Sequence, residues 1–266
     1  MPFSEADLAA LADAIRRLER PSFAARLSAL AGTPLALIGR ALPAAASNAV
    51  SRAAGLALGR ALEIALFSLR GRRLVTGRAL HSALASASGA IGGAFGLPAL
   101  AIELPVSTAI MLRAIAAIAQ AEGEDLEDPR TGLACLEVFA LGGSGPQGGP
   151  EETGYFAVRG LLLRAVSEAA DVLVGKGAVR ESAPILLRMV SQIATRFGIV
   201  VSEKAAAQAV PVLGALGGAA INLAFIEHFQ EVARGHFTVR RLERTHGADA
   251  VRAEYDRLKG EGARAR

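Results

Sequence analysis

The sequence predicts an all-α fold: a single multi-helix domain in which two Gly/Ala-rich apolar helical segments pack centrally. Two observations carry this. Hydrophobic residues fill 52% of the 266 positions while aromatics fill only 5%, with no Trp and two Tyr. The apolar mass is therefore Ala, Leu, Val and Ile. Ala and Leu are strong helix formers, whereas strand cores lean on β-branched and aromatic residues. The second observation is periodicity. Apolar residues recur at helical spacing through most of the chain, and strand-like alternation never extends beyond a few residues.

The elements follow in order. Ser4 to Arg20 reads as an amphipathic helix, with Leu8, Leu11, Ile15 and Leu18 on one face and Pro21 as its stop. Ser4 and Asp7 have the spacing of a capping box, Asp replacing the usual Glu. Pro34 and Pro43 break the next stretch, and Ala44 to Leu69 is a second long helical pattern. Ala79 to Ile102 carries no formally charged residue; as a helix it would be about 36 Å long, enough for a bilayer, but Pro98 is expected to interrupt it. Glu103 to Ala121 then reads as an apolar helix with Pro105 near its start, and Glu103 is placed to cap it or to pair with Arg113. In the acidic turn from Glu122 to Arg130, Asp128-Pro129 is a helix-start signal. Thr131 to Leu141 is helical, and Gly142 to Gly154 is the one clear linker. Tyr155 to Val174 and Val179 to Phe197 are further helices, the second restarting at Pro184. Ala205 to Ile226 is the second uncharged run, and Glu227 to Leu258 is amphipathic and divided by Gly247.

Gly89, Gly93, Gly92 and Gly96 in the first uncharged run, and Gly214 and Gly218 in the second, pair at four-residue spacing. That spacing lines small residues on one helix face and lets another backbone approach.

Net charge is +4, the pI is about 9.8 and mean hydropathy is +0.37. The excess lies at the two ends: eleven Arg against five acids up to Arg78, and nine Lys or Arg against five acids from Arg234 onward. Basic ends on an apolar body suit an anionic membrane surface. They lack the interleaved aromatics on which nucleic-acid bases stack, so no nucleic acid is expected. The single cysteine, Cys135, excludes an internal disulfide and reads as a buried small hydrophobe. Acids at positions 5 and 7, with no charged-then-apolar order, predict a cytoplasmic start.

Known catalytic patterns fail on context. Gly143 to Gly148 matches a dinucleotide fingerprint, but a helix precedes it and more loop follows. Gly175-Lys176-Gly177 lacks the rest of a phosphate loop, and Pro146 stands where a nucleophile elbow needs glycine. The acidic turn does not have calcium-loop spacing. Glu103, Glu137, Glu227 and His228 lie in or beside apolar stretches, but the Glu-x-x-His spacing of a two-metal helical bundle is absent. No cofactor or metal is expected.

Three stretches together resemble the EcsC family of bacterial proteins. The first is IELPVSTAIMLRAIAAIAQAEGEDLEDPR, an acid-x-Pro step, a long Leu/Ile helix and an acidic loop from Asp125 to Pro129. The second is YFAVRGLLLRAVSEAA after the linker, and the third runs from Pro211 to Arg244, with the step Ala233, Phe237, Arg240-Arg241. The resemblance covers roughly residues 45 to 258; Glu103 departs from an expected Asp, and Glu122 from an aromatic. It implies a helical protein working near an ABC-type transporter linked to protein secretion. Some members carry a peptidase label.

These readings give an N-terminal helical extension at 1–43, an EcsC-like domain at 44–258 with a Gly-rich loop at 142–154, and a disordered tail at 259–266. The expected function is non-enzymatic association with the cytoplasmic face of the bacterial membrane, with lipid or a membrane transporter as partner. Arg70, Arg72, Arg73, Arg78, Arg234, Arg240, Arg241 and Arg244 form the expected lipid-facing surface. The alternatives are a peptidase-like hydrolase using buried carboxylates, with Glu103 as its candidate, and a soluble adaptor for a partner helix.

Overall fold

The computed structural model describes residues 2–31, 44–68, 96–143, 154–176, 183–209 and 218–264. Among these residues there are nine helices and no strand. They are α1 (Glu5–Leu18), α2 (Phe23–Ala31), α3 (Ala44–Ser68), α4 (Gly96–Ala121), α5 (Pro129–Leu141), α6 (Tyr155–Lys176), α7 (Ala183–Ala209), α8 (Gly218–His246) and α9 (Ala248–Arg264).

The helix starts follow local chemistry. The Ser4 hydroxyl accepts from the Asp7 backbone N–H at 3.1 Å, and the Asp7 carboxylate accepts from the Ser4 N–H at 3.3 Å. Both satisfy amides that α1 leaves open, so the capping box forms with the shorter acid. Asp128 caps α5 by accepting from the Arg130 N–H at 2.8 Å, with Pro129 at the first helical position. Gly247, at φ +89°, separates α8 from α9 in a left-handed conformation that a side chain would strain.

Several boundaries differ from the sequence reading. α4 begins at Gly96 and runs without a break through Pro98, Glu103 and Pro105. Pro98 lies in the first turn, where its missing N–H costs no helical bond, and Pro105 is carried inside the helix. Glu103 is therefore an interior helical position and cannot cap. α6 passes through Gly175, and α7 continues past Phe197 to Ala209. α9 extends to Arg264 where the tail was expected to be disordered. Arg257 pairs with Glu254 and Glu261 one turn to either side, and Lys259 reaches Glu19 at 2.8 Å, which holds the last turns.

Among the described residues α5 lies at the centre of the packing; residues 79–95 and 210–217 of the two uncharged runs lie outside them, and Ala205, Ala206, Ala207, Ile221 and Phe225 of the second run are buried in the same core. Ten consecutive or near-consecutive residues of α5, from Thr131 to Leu141, are buried, and α3, α4, α6, α7 and α8 all pack around it. Gly142 and Gly143, expected to open the linker, are buried at its end. Phe139, Phe197, Phe225 and Phe229 meet at centroid separations of 5.1–5.5 Å, except the Phe197–Phe225 pair at 6.2 Å. Their tilted and edge-on geometry suits the ring quadrupoles and locks α5, α7 and α8 together. Of the predicted packing glycines, Gly96 and Gly218 open α4 and α8; Gly89, Gly92, Gly93 and Gly214 lie outside the described residues.

The N-terminal segment is not an appendage. Leu11, Ala14 and Ile15 of α1 belong to the same core as the rest. They lie against α8, where Gly235 allows close approach: a Cβ there would stand 2.7 Å from the Leu18 Cγ and 3.1 Å from the Ala14 carbonyl oxygen. Gly235→Ala is expected to lower stability by about 1–2 kcal/mol, since Leu18 can turn away but the α1 backbone must shift. Urea unfolding checks this; an unchanged midpoint would show that α1 rides loosely on α8.

Candidate functional site

Two polar assemblies distinguish this helical core. The first is a buried chain of side chains between α5, α6 and α8. Arg159 makes a bidentate pair with Glu243, at 2.6 and 2.8 Å, and also donates from Nη1 to the Tyr155 hydroxyl at 3.2 Å. With that oxygen accepting from arginine, the phenol proton is directed to His236 Nδ1, 2.9 Å away. A neutral imidazole accepting at Nδ1 carries its proton on Nε2. His236 Nε2 faces the Glu137 carboxylate at 3.8 Å and has no hydrogen-bond partner.

Burial sets the protonation of this chain. His236 is fully buried, which together with the cations Arg159 and Arg240 pushes its pKa well below the usual imidazole range. Burial pushes the Glu137 carboxyl up to about 7, against the pull of Arg159 and Arg240. Tyr155 is likewise pushed up by burial. For Arg159 burial opposes the charge, but Tyr155 and Glu243 more than restore it and its pKa is raised. The assembly thus holds a neutral imidazole beside a carboxyl that changes charge near neutrality. Perturbed groups of this kind concentrate at functional sites and also in structural ion networks.

The second assembly joins the acidic turn to the end of α8. Arg240 holds Glu124 in a bidentate pair, at 2.8 and 3.1 Å, and Arg244 pairs with the same carboxylate and donates to the Glu122 carbonyl at 2.6 Å. Arg241 donates to Glu122 at 2.8 Å and lies 3.9 Å from Asp7. Glu231 collects Arg17, Arg20 and Arg234. Burial would raise the Glu124 pKa, but Arg240 and Arg244 outweigh it and the carboxylate is lowered. Turn and helix are therefore latched by charge-assisted bonds.

The predicted site residues divide accordingly. Arg234, Arg240, Arg241 and Arg244 all have internal carboxylate partners. Arg70, Arg72, Arg73 and Arg78 lie outside the described residues, as does the Glu103 side chain. Of the other acids in apolar stretches, Glu227 is exposed and Glu137 is the buried one. His228 is buried with its Nε2 2.8 Å from the Gly142 carbonyl oxygen, and its pKa is lowered to about 4, chiefly by burial. Cys135 is buried, and that burial pushes its thiol up to about 12. No group of three His, Cys, Asp or Glu side chains is gathered for a metal among the described residues.

Sequence reasoning missed the Tyr155–Arg159–Glu243 arrangement. The signal was the face Ala233, His236, Phe237, Arg240, spaced three, four and seven residues along α8, which puts two polar groups on an otherwise apolar stripe. Glu137, the lone charge in the run LACLEVFAL, was the other half of it.

The model of the EcsC protein family fits residues 22–242, most of the chain. No curated protein and no solved structure matches.

Proposed function

The chain belongs to the EcsC protein family, and from that premise we propose that it works at the cytoplasmic face of the bacterial membrane, binding lipid or supporting a membrane transporter. One observation carries the proposal. Among the described residues two helical segments, Leu104–Ala121 and Pro184–Gln208, are long and apolar enough to cross a bilayer, and 39% and 44% of their most apolar windows are buried. The second of them exposes Leu187, apolar surface that a bilayer or a partner would cover. The basic balance of the sequence favours an anionic partner surface. The arginines from Arg234 to Arg244 contribute less to it than their number implies, because Glu122, Glu124, Asp7 and Glu231 already balance them. The hydrolase reading rests on Glu103, whose side chain lies outside the described residues, with a second buried acid; Glu137, the buried acid in an apolar stretch, is enclosed in the core.

Flotation of the purified protein with liposomes tests the proposal. Binding is expected to require anionic lipid, each nearby cation contributing about 1 kcal/mol, and to weaken in salt. Binding that survives a salt wash would mean that apolar helices insert. Absence from both anionic and neutral liposomes would overturn the membrane reading in favour of a protein partner.

A further inference from the structure

We propose that the outer face of the α6–α7 pair is the surface that seats on anionic phospholipid; this rests on the membrane reading above and assigns it a place. The sequence carries one short segment twice: Leu161-Leu162-Leu163-Arg164-Ala165-Val166-Ser167 and Ile185-Leu186-Leu187-Arg188-Met189-Val190-Ser191. The two copies lie on α6 and α7, which pack against each other. Their burial follows the same pattern. Leu162 and Leu186, with Ala165 and Met189, go into the core. The next leucine of each copy points outward, Leu163 being 65% and Leu187 68% exposed. So does the arginine after it, with side chains 90% exposed at Arg164 and 64% at Arg188.

The face is unusual within the molecule. Leu161, Leu163, Val174 and Leu187 all lie on this pair; the other large apolar side chains exposed among the described residues, Leu56, Leu126 and Leu223, lie singly on α3, the acidic turn and α8. Packing does not explain exposed leucines repeated at matching places on adjacent helices.

Charge selects the occupant. Arg164 and Arg188 share a single carboxylate, Glu168, at 2.8 and 3.8 Å, which leaves one cation in excess at that point. Arg159 on the same helices is bonded to Glu243, Lys204 is fully buried and Asp171 is exposed, so Arg164 and Arg188 are the cations the face itself presents. Leucines that reach the acyl boundary beside arginines that stay at phosphate level are the pattern of a helix lying in a membrane interface. An apolar protein groove would not need the arginines.

The test is flotation on phosphatidylcholine vesicles with and without phosphatidylglycerol, using the full chain, the double variant Leu163→Ser/Leu187→Ser, the double variant Arg164→Gln/Arg188→Gln, and Leu126→Ser as a control leucine elsewhere. The substituted side chains are exposed, and unchanged helical circular dichroism confirms folding. The full chain and Leu126→Ser are expected to float with the anionic vesicles. The leucine variant is expected to partition at least about tenfold more weakly, and the arginine variant to lose its preference for anionic lipid. If the full chain floats and both double variants float equally well, this face is not the contact, although the membrane reading stands. If the full chain binds no vesicle, that reading fails and this inference with it. A dimer in light scattering that the leucine variant dissolves, without vesicle binding, would assign the face to a second copy of the chain instead. As a check independent of partitioning, Leu163→Cys labelled with a polarity-sensitive dye should shift to the blue on anionic vesicles; buried Cys135 leaves the new thiol as the reactive one.

Discussion

Replacing Arg159 with methionine is expected to lower stability by about 3 kcal/mol. The methionine fills much of the same space, so the loss comes from charge and hydrogen bonding. Glu243, with a side chain only 13% exposed, would lose its bidentate partner, and the Tyr155 hydroxyl would lose the donor that orients it toward His236. For a chain of this size the melting temperature should fall by about 6–12 °C. Arg159→Lys should recover only part of the loss, because a single ammonium cannot address both Glu243 oxygens and the phenol with fork geometry. Thermal and urea unfolding of both variants measure this. A loss below about 1 kcal/mol for the methionine variant would mean that solvent already screens the pair as it does surface bridges.

Glu137→Gln is expected to act in the opposite direction, and only at higher pH. In the folded chain the Glu137 carboxyl is pushed up to about 7 by burial, from an ordinary value of 4.5. Between those values the native state keeps a proton that the unfolded state has released. Stability therefore falls as pH rises through this range, and the full cost is present above about pH 7. The gap corresponds to about 3 kcal/mol. The amide has the same shape and no charge, so the variant should match the parent near pH 4.5 and exceed it by about that amount at pH 8. Because His236 and His228 are common to both chains, their own loss of stability on acidification cancels in the difference. Urea unfolding at several pH values decides it. A difference that does not change with pH would show that Glu137 keeps one protonation state throughout and that its proton is not exchanged near neutrality.

These effects are large because a helical core of small residues concentrates its polar groups. Around Glu137, His236 and Tyr155, three fully or nearly fully buried side chains share one chain of contacts, and water cannot compensate when one is changed.

The sequence by itself determined the helical class, the capping box at Ser4, the start at Asp128-Pro129 and the division at Gly247. These are local decisions: a cap, a proline or a left-handed glycine acts over one turn and can be read from neighbours in the chain. It also singled out Glu137 and His228 as polar residues in apolar company. Only the tertiary structure decided which helix is central: α4 is longer and more apolar than α5, yet α5 is the one buried along ten of its thirteen residues, with five others packed on it. It likewise turned Arg240, Arg241 and Arg244 from a basic stretch into partners of an acidic turn more than a hundred residues away. The same holds for the chain from Arg159 through Tyr155 and His236 to Glu137. Periodicity reports which side of a helix is apolar; it does not report what that side faces, and a buried charge is defined by the group it meets.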